Sequence, residues 1–156
     1  MPKVKTPPAS PTTQLAGFIA KFDPQMAKAI RSCRAALRKR FPTAVELVYD
    51  NYNFFVIGYC ATARSSDCIV SLVANSKGVG LSFYYGATLA DPHKILLGSG
   101  NQNRFIRLVD GAATLAKPEV RELIDAAEAQ AKTPLPKSGK GSLVIRTIAP
   151  KQRPRR

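Results

Sequence analysis

The sequence predicts an α+β domain, an antiparallel sheet with N-terminal and C-terminal helices packed on one of its faces. Three observations carry that prediction. Apolar residues recur at helical spacing up to Pro42, they alternate at strand spacing through most of the chain from Thr43 to Val109, and the helical period returns after Pro118. At 156 residues the chain suits one domain able to bury a sizeable core.

The first segment, "MPKVKTPPASPTT", sets Lys3 and Lys5 among prolines, so residues 1–12 read as a flexible basic arm. Thr12 or Thr13 can cap a short helix carrying Leu15, Phe18, Ile19 and Phe22 at i, i+3, i+4 and i+7. Asp23 and Pro24 end it and start another, because Asp is a good N-cap and Pro loses no amide bond at the first helical position. Met26, Ile30, Cys33 and Leu37 form the apolar stripe of this second helix. Lys28, Arg31, Arg34 and Arg38 face mainly outward, and Lys39 and Arg40 sit where a helix C-terminus favours positive charge.

Beyond Pro42 the period becomes that of a strand. "TAVELVY" alternates Val45, Leu47 and Tyr49 against Glu46 and Val48, "FFVIGYC" is a mostly apolar strand, and "DCIVSLVA" and "GVGLSFYY" are arms of a hairpin around residues 75–78. Connections this short predict antiparallel order. In the next stretch Ala90, Asp91 and Pro92 can cap a brief helical turn with Ile95 and Leu96, and "RFIRLVD" returns as a strand whose Arg107 needs an edge or a ligand. Lys117 and Pro118 open the last helix, with Val120, Leu123, Ile124, Ala127 and Ala131 along its inner stripe. The folded unit is therefore expected over residues 13–132, followed by a basic tail, residues 133–156, in which "GSLVIRTIA" can add a short edge strand at 142–148.

Charge is the unusual property. Lys plus Arg number 24 against 10 Asp plus Glu, giving +14. The tail contributes half of that excess, since it holds Lys137, Lys140, Arg146, Lys151, Arg153, Arg155 and Arg156 and no acid. With the helix face of Arg31, Arg34 and Arg38, these are candidate phosphate contacts for nucleic acid, through charge and shape and without sequence preference. Other chemistries lack support. His93 stands alone, Cys33, Cys60 and Cys68 have no metal-site spacing, the glycines match no phosphate-binding loop, and the acids are dispersed, so no cofactor, metal or catalytic set is predicted. No apolar run is long enough to span a membrane and the N-terminus carries no signal-peptide pattern, so a cytoplasmic location is expected.

"VELVYDNYNFFVIGY", "SSDCIVSLV", "GVGLSFYYGATLADPHKILLGSGNQNRFIRLVD" and "PEVRELIDAA", in that order, resemble the uncharacterised DUF1801 family, also called YdhG-like. The likeness spans roughly residues 13–132. Its first run matches Tyr49, Asp50, Asn51, Tyr52 and Asn53; its second matches Gly86, Asp91, Pro92, His93, Leu96, Gly98, Gly100, Arg104, Ile106 and Arg107. The resemblance implies a compact α+β fold of helices against an antiparallel sheet and no defined reaction.

Turn chemistry explains much of this pattern, since Asp50, Asn51 and Asn53 can satisfy backbone amides. If the loops around 50–53 and 86–104 meet, however, Asp50, Asn51, Asn53, Tyr84, His93, Asn103, Arg104 and Arg107 would line one polar, aromatic pocket. That geometry predicts a non-catalytic binding or adaptor domain for a small anionic ligand or an acidic protein surface. Two alternatives stand beside it, an accessory protein binding nucleic acid non-specifically and an enzyme with Asp50 or His93 as acid or base. Exposed aromatics would also serve a homo-oligomer contact.

Overall fold

The computed structural model describes residues 9–156. Helix α1 (Pro11–Ala20) starts from Ser10, whose Oγ accepts from the Thr13 amide at 3.2 Å, with Pro11 placed where no amide is required. The cap is Ser10 instead of Thr12 or Thr13, and Pro11 and Thr12 lie within the helix; residues 1–8 of the expected arm lie outside the described residues. Helix α2 (Pro24–Arg40) follows once Asp23 Oδ1 accepts from the Met26 amide at 2.9 Å.

Strands β1 (Val45–Asp50), β2 (Phe55–Cys60), β3 (Cys68–Asn75), β4 (Gly78–Phe83) and β5 (Arg104–Arg107) form an antiparallel meander. Helices α3 (Ala112–Leu115) and α4 (Pro118–Ala129) come next. Strand β6 (Ser142–Ile148) then joins the opposite edge, parallel to β1, giving the order β5-β4-β3-β2-β1-β6. The sheet is therefore mixed, which corrects the fully antiparallel expectation. A parallel neighbour needs a long crossover, and the segment carrying α3 and α4 supplies it.

One cross-strand row explains how the helices and sheet adhere. Ile145, Val48, Ile57, Leu72, Leu81 and Ile106 lie side by side across all six strands, facing the helices. Leu15, Ile30, Leu37, Leu123 and Ile124 close over this layer. Each such buried aliphatic side chain contributes about 1.5–3 kcal/mol. Alternation along β1 puts Glu46 and Asp50 on the same side as Val48, so two carboxylates enter the helix-facing layer and must find cations there.

Glu46 is met by α2. Arg34 donates from Nε and Nη2 to its two oxygens, both at 3.0 Å, and the buried Tyr59 hydroxyl donates to Oε2 at 3.0 Å. Burial, the Glu46 charge and this hydrogen bond push the Tyr59 phenol well above its ordinary value.

Between β4 and β5 the chain makes a long excursion. It begins with a 3₁₀ turn at Gly86–Thr88. After Asp91 a single turn closes through the Lys94 amide and the Asp91 carbonyl at 3.1 Å, but no helix carries Ile95 and Leu96; the Asp91 carboxylate instead accepts from their amides, each at 3.0 Å. Leu97 then bridges back to Phe105 beside β5. No helix among the described residues is long and apolar enough to cross a membrane.

Candidate functional site

Asp50 lies beneath the chain's last residues and not in an open pocket. Its carboxylate accepts from Lys21 Nζ at 2.6 Å and from Arg155 Nη2 at 2.9 Å, and its backbone carbonyl accepts from Gln152 Nε2 at 2.9 Å. Arg155 also donates to the Asn51 carbonyl at 2.6 Å, leaving its buried Nε and Nη1 without partners among the described residues. The Asn51 side chain accepts from the Thr147 hydroxyl at 2.7 Å. Burial alone pushes the Asp50 carboxyl up, but hydrogen bonds from Lys21, Gln152 and Arg155 outweigh it and hold the group below the usual carboxylate value. The "YDNYN" stretch is a clasp for the segment after β6.

Strand register separates the two loops that the sequence analysis would bring together. Asp50 pairs with Phe55 and Phe55 with Ala74 at one end of the sheet, whereas Phe83 pairs with Arg104 at the other. Tyr84, His93 and Arg104 therefore do not converge with Asp50, Asn51 and Asn53. His93 Nε2 lies 3.1 Å from Glu122 Oε2, and Arg104 Nη1 donates to the carbonyls of Gly100 and Asn103, at 2.5 and 2.8 Å, holding its own loop. Tyr84 stacks edge-on against Tyr85, exposed. Asn53 is exposed. The same separation keeps Asp50 and His93 from sharing one pocket.

Asn103 and Arg107 do share a site, a groove that runs from the sheet face away from the helices to the start of α2. Parts of two cross-strand rows, from Ser71 to Phe105 and from Val56 to Arg107, line it. Val144, Leu47, Gly58, Ser71, Ser82 and Phe105 make one, and Tyr49, Val56, Val73, Gly80 and Arg107 make the next. Ser71 and Ser82 in the first row and Gly80 in the second leave room for a groove of about 990 Å³, which continues past the end of the sheet to Met26 and Ala29 of α2 and to Val79 and Leu108. Phe54, Phe105 and Val109 raise its walls, the Ser82 hydroxyl donates to Asn103 Oδ1 at 2.6 Å within it, and Lys77 and Arg107 stand at its rim. The one acid in its lining, Asp23, is engaged as the α2 cap. Arg107 has no carboxylate within ion-pair distance among the described residues. Sequence reasoning missed Phe54, Val56, Val73 and Phe105 as groove residues; alternation marks them as sharing a face, but only the pairing register aligns them.

The candidate phosphate contacts divide. Arg31, Lys137, Lys140, Arg146, Lys151, Arg153 and Arg156 are exposed. Arg34 is committed to Glu46, Arg38 lies 3.6 Å from the same carboxylate, and Arg155 is buried, because two acids on the helix-facing side of β1 recruit them. Arg153 sits over the Tyr52 ring at 5.8 Å, and Arg156 Nε donates to the Lys21 carbonyl at 3.2 Å. Among the described residues no group of three or more His, Cys, Asp or Glu side chains is arranged to hold a metal ion.

Fold and site together define a helix-backed, mixed α+β sheet with an apolar, cation-rimmed groove at the end of the sheet beside the start of α2. Comparison with family models, curated proteins and solved structures finds no match to the chain.

Proposed function

We propose that the chain is a non-catalytic, YdhG-like binding domain that holds a small anionic molecule with an apolar body in the groove bordered by Lys77 and Arg107. The observation that carries this reading is charge asymmetry at an apolar trough: Arg107 and Lys77 border it, and its lone acid is spent on a helix cap. Val56, Val73 and Phe105 would bury the apolar body. Arg107 would take the carboxylate, sulfonate or phosphate with its planar fork, and Ser82 and Asn103 would orient it.

Titration with anilinonaphthalene sulfonate tests the reading, with amide-shift mapping to locate the probe. Shifts should centre on Val56, Val73 and Phe105, and Arg107→Ala should weaken binding by about tenfold, the value of one charge-assisted contact at a partly solvated site. Shifts confined to other surfaces, or an unchanged affinity in Arg107→Ala, would reject it.

A second reading rests on the exposed cations around β6. Lys137, Lys140, Arg146, Lys151 and Arg153 lie in a segment without acids and would contact phosphates of nucleic acid non-specifically. Deleting this segment would remove β6 itself, so charge-neutralising substitutions at Lys137, Lys140 and Lys151 are the appropriate test. A salt-dependent affinity for oligonucleotides that they leave intact would remove the segment from the mechanism.

A further inference from the structure

Cys60 and Cys68 face one another across β2 and β3, directly paired where the register shifts at the end of the two strands. Opposed residues in an antiparallel pair have Cα atoms about 4.5–5.5 Å apart, inside the window of about 4.4–6.8 Å that a disulfide spans. Both thiols lean over Gly58. A Cβ placed on that glycine would lie 3.2 Å from Cys68 Sγ, 3.4 Å from Cys60 Sγ and 3.4 Å from Ser71 Oγ, so the two sulfurs and a hydroxyl surround a space that no side chain fills. Cys33, the third cysteine, is sealed between helix and sheet, where burial pushes its thiol up to about 11.

We propose that Cys60 and Cys68 form a peroxide-sensitive dithiol that closes reversibly to a cross-strand disulfide. The two sulfurs are not equivalent. Cys68 Sγ lies 3.1 Å from Ser71 Oγ and donates to the Val70 carbonyl at 3.3 Å, and the neighbouring Cys60 foremost draws its thiol below the ordinary value against the opposing effect of burial. Cys60 moves the other way, raised by the neighbouring Cys68 and by its own burial. Cys68 retains slight exposure at 7% where Cys60 has none, so it is the sulfur that peroxide reaches and the attacking group.

The steps balance. The Cys68 thiolate attacks one oxygen of hydrogen peroxide, the O–O bond breaks, and with one proton the departing hydroxide leaves as water, giving a sulfenic acid. The Cys60 sulfur then attacks the Cys68 sulfur, the S–O bond breaks, and the thiol proton leaves with the hydroxyl as a second water. Sulfur is oxidised and peroxide reduced, two electrons each. The bond would join the ends of β2 and β3 around residues 61–67, at the irregularity where the two cysteines pair.

The test treats the reduced, folded full chain with hydrogen peroxide, blocks remaining thiols with N-ethylmaleimide after denaturation, and maps tryptic peptides without reduction. Trypsin cuts after Arg64, between the two cysteines, so a disulfide would hold two otherwise separate peptides together. The expected result is a linked Cys60 and Cys68 pair, a blocked Cys33, and loss of the link with dithiothreitol. In Cys60→Ser, Cys68 should stop at a sulfenic acid that dimedone captures; in Cys68→Ser, Cys60 should stay reduced. Full blocking of both cysteines in the folded wild-type chain, under peroxide exposure that oxidises them in the denatured chain, would overturn the proposal. So would conversion of Cys68 to sulfinic acid with no link, or links formed only between molecules.

Discussion

Arg155 Nη2 donates to Asp50 Oδ1 at 2.9 Å, with both side chains at most 2% exposed, and so ties the segment after β6 to the end of β1. Removing one member of such a pair leaves the other charge buried and uncompensated, a loss of about 3–5 kcal/mol. Asp50→Asn should therefore lower the urea midpoint strongly and speed amide exchange along β6. An unchanged midpoint would mean that the pair contributes nothing net to stability.

The same carboxylate sets an acid limit. Its folded-state pKa lies below the unfolded value, so its contribution to stability is complete above the ordinary Asp range and is lost as pH falls through the lowered folded value. Denaturation midpoints measured down a pH series should fall in that acid window for the wild-type chain. In Asp50→Asn the component should be missing, and an identical acid profile in both proteins would assign the limit to other groups.

Gly141 has no room for a side chain. An added Cβ would collide with the carbonyl oxygen of Ala44 and approach that of Pro42 to 3.1 Å, and both obstacles are backbone. Gly141→Ala should cost about 1–3 kcal/mol and loosen β6, seen as faster tryptic cutting after Lys140 and Arg146. Wild-type resistance would show that the strand docks without this close approach.

Filling the groove should separate binding from folding. Ser82→Leu places a branched side chain over the small-residue floor at a half-buried position. It should abolish binding of the aromatic sulfonate while the far-UV circular dichroism stays unchanged. Retained affinity would move the site off this face.

Local chemistry in the sequence reveals α2, where Asp23 and Pro24 announce the start, and the β3-β4 hairpin, where alternation breaks at residues 75–78. It also shows that Arg107 needs an edge, which β5 provides. The role of Asp50 is hidden because its partner Arg155 stands over a hundred positions away, a separation of 105, and no local period connects them. The segment from Thr133 reads as a tail for a similar reason: Pro134, Pro136, Gly139 and Gly141 look like linker chemistry, yet Gly141 is small because the backbone of residues 42–44 lies against it. Composition favours a site assembled from turn residues; the groove instead arises from glycine and serine aligned across strands, visible only once the register is known.

The parallel docking of β6 on β1 has a kinetic meaning. Every other strand pairs with its neighbour in the chain, but Val45 meets Ser142, a closure over roughly a hundred residues whose entropy must be overcome before any ladder bond forms. The five-stranded meander can assemble from local hairpins while the outer edge of β1 still presents unpaired amides and carbonyls. During that interval β1 is an open template, and β6 competes for it with strands of other molecules. Pulse-labelled exchange during refolding should accordingly find β3 and β4 protected first and β6 last, with aggregation yield set by the lifetime of that uncapped edge.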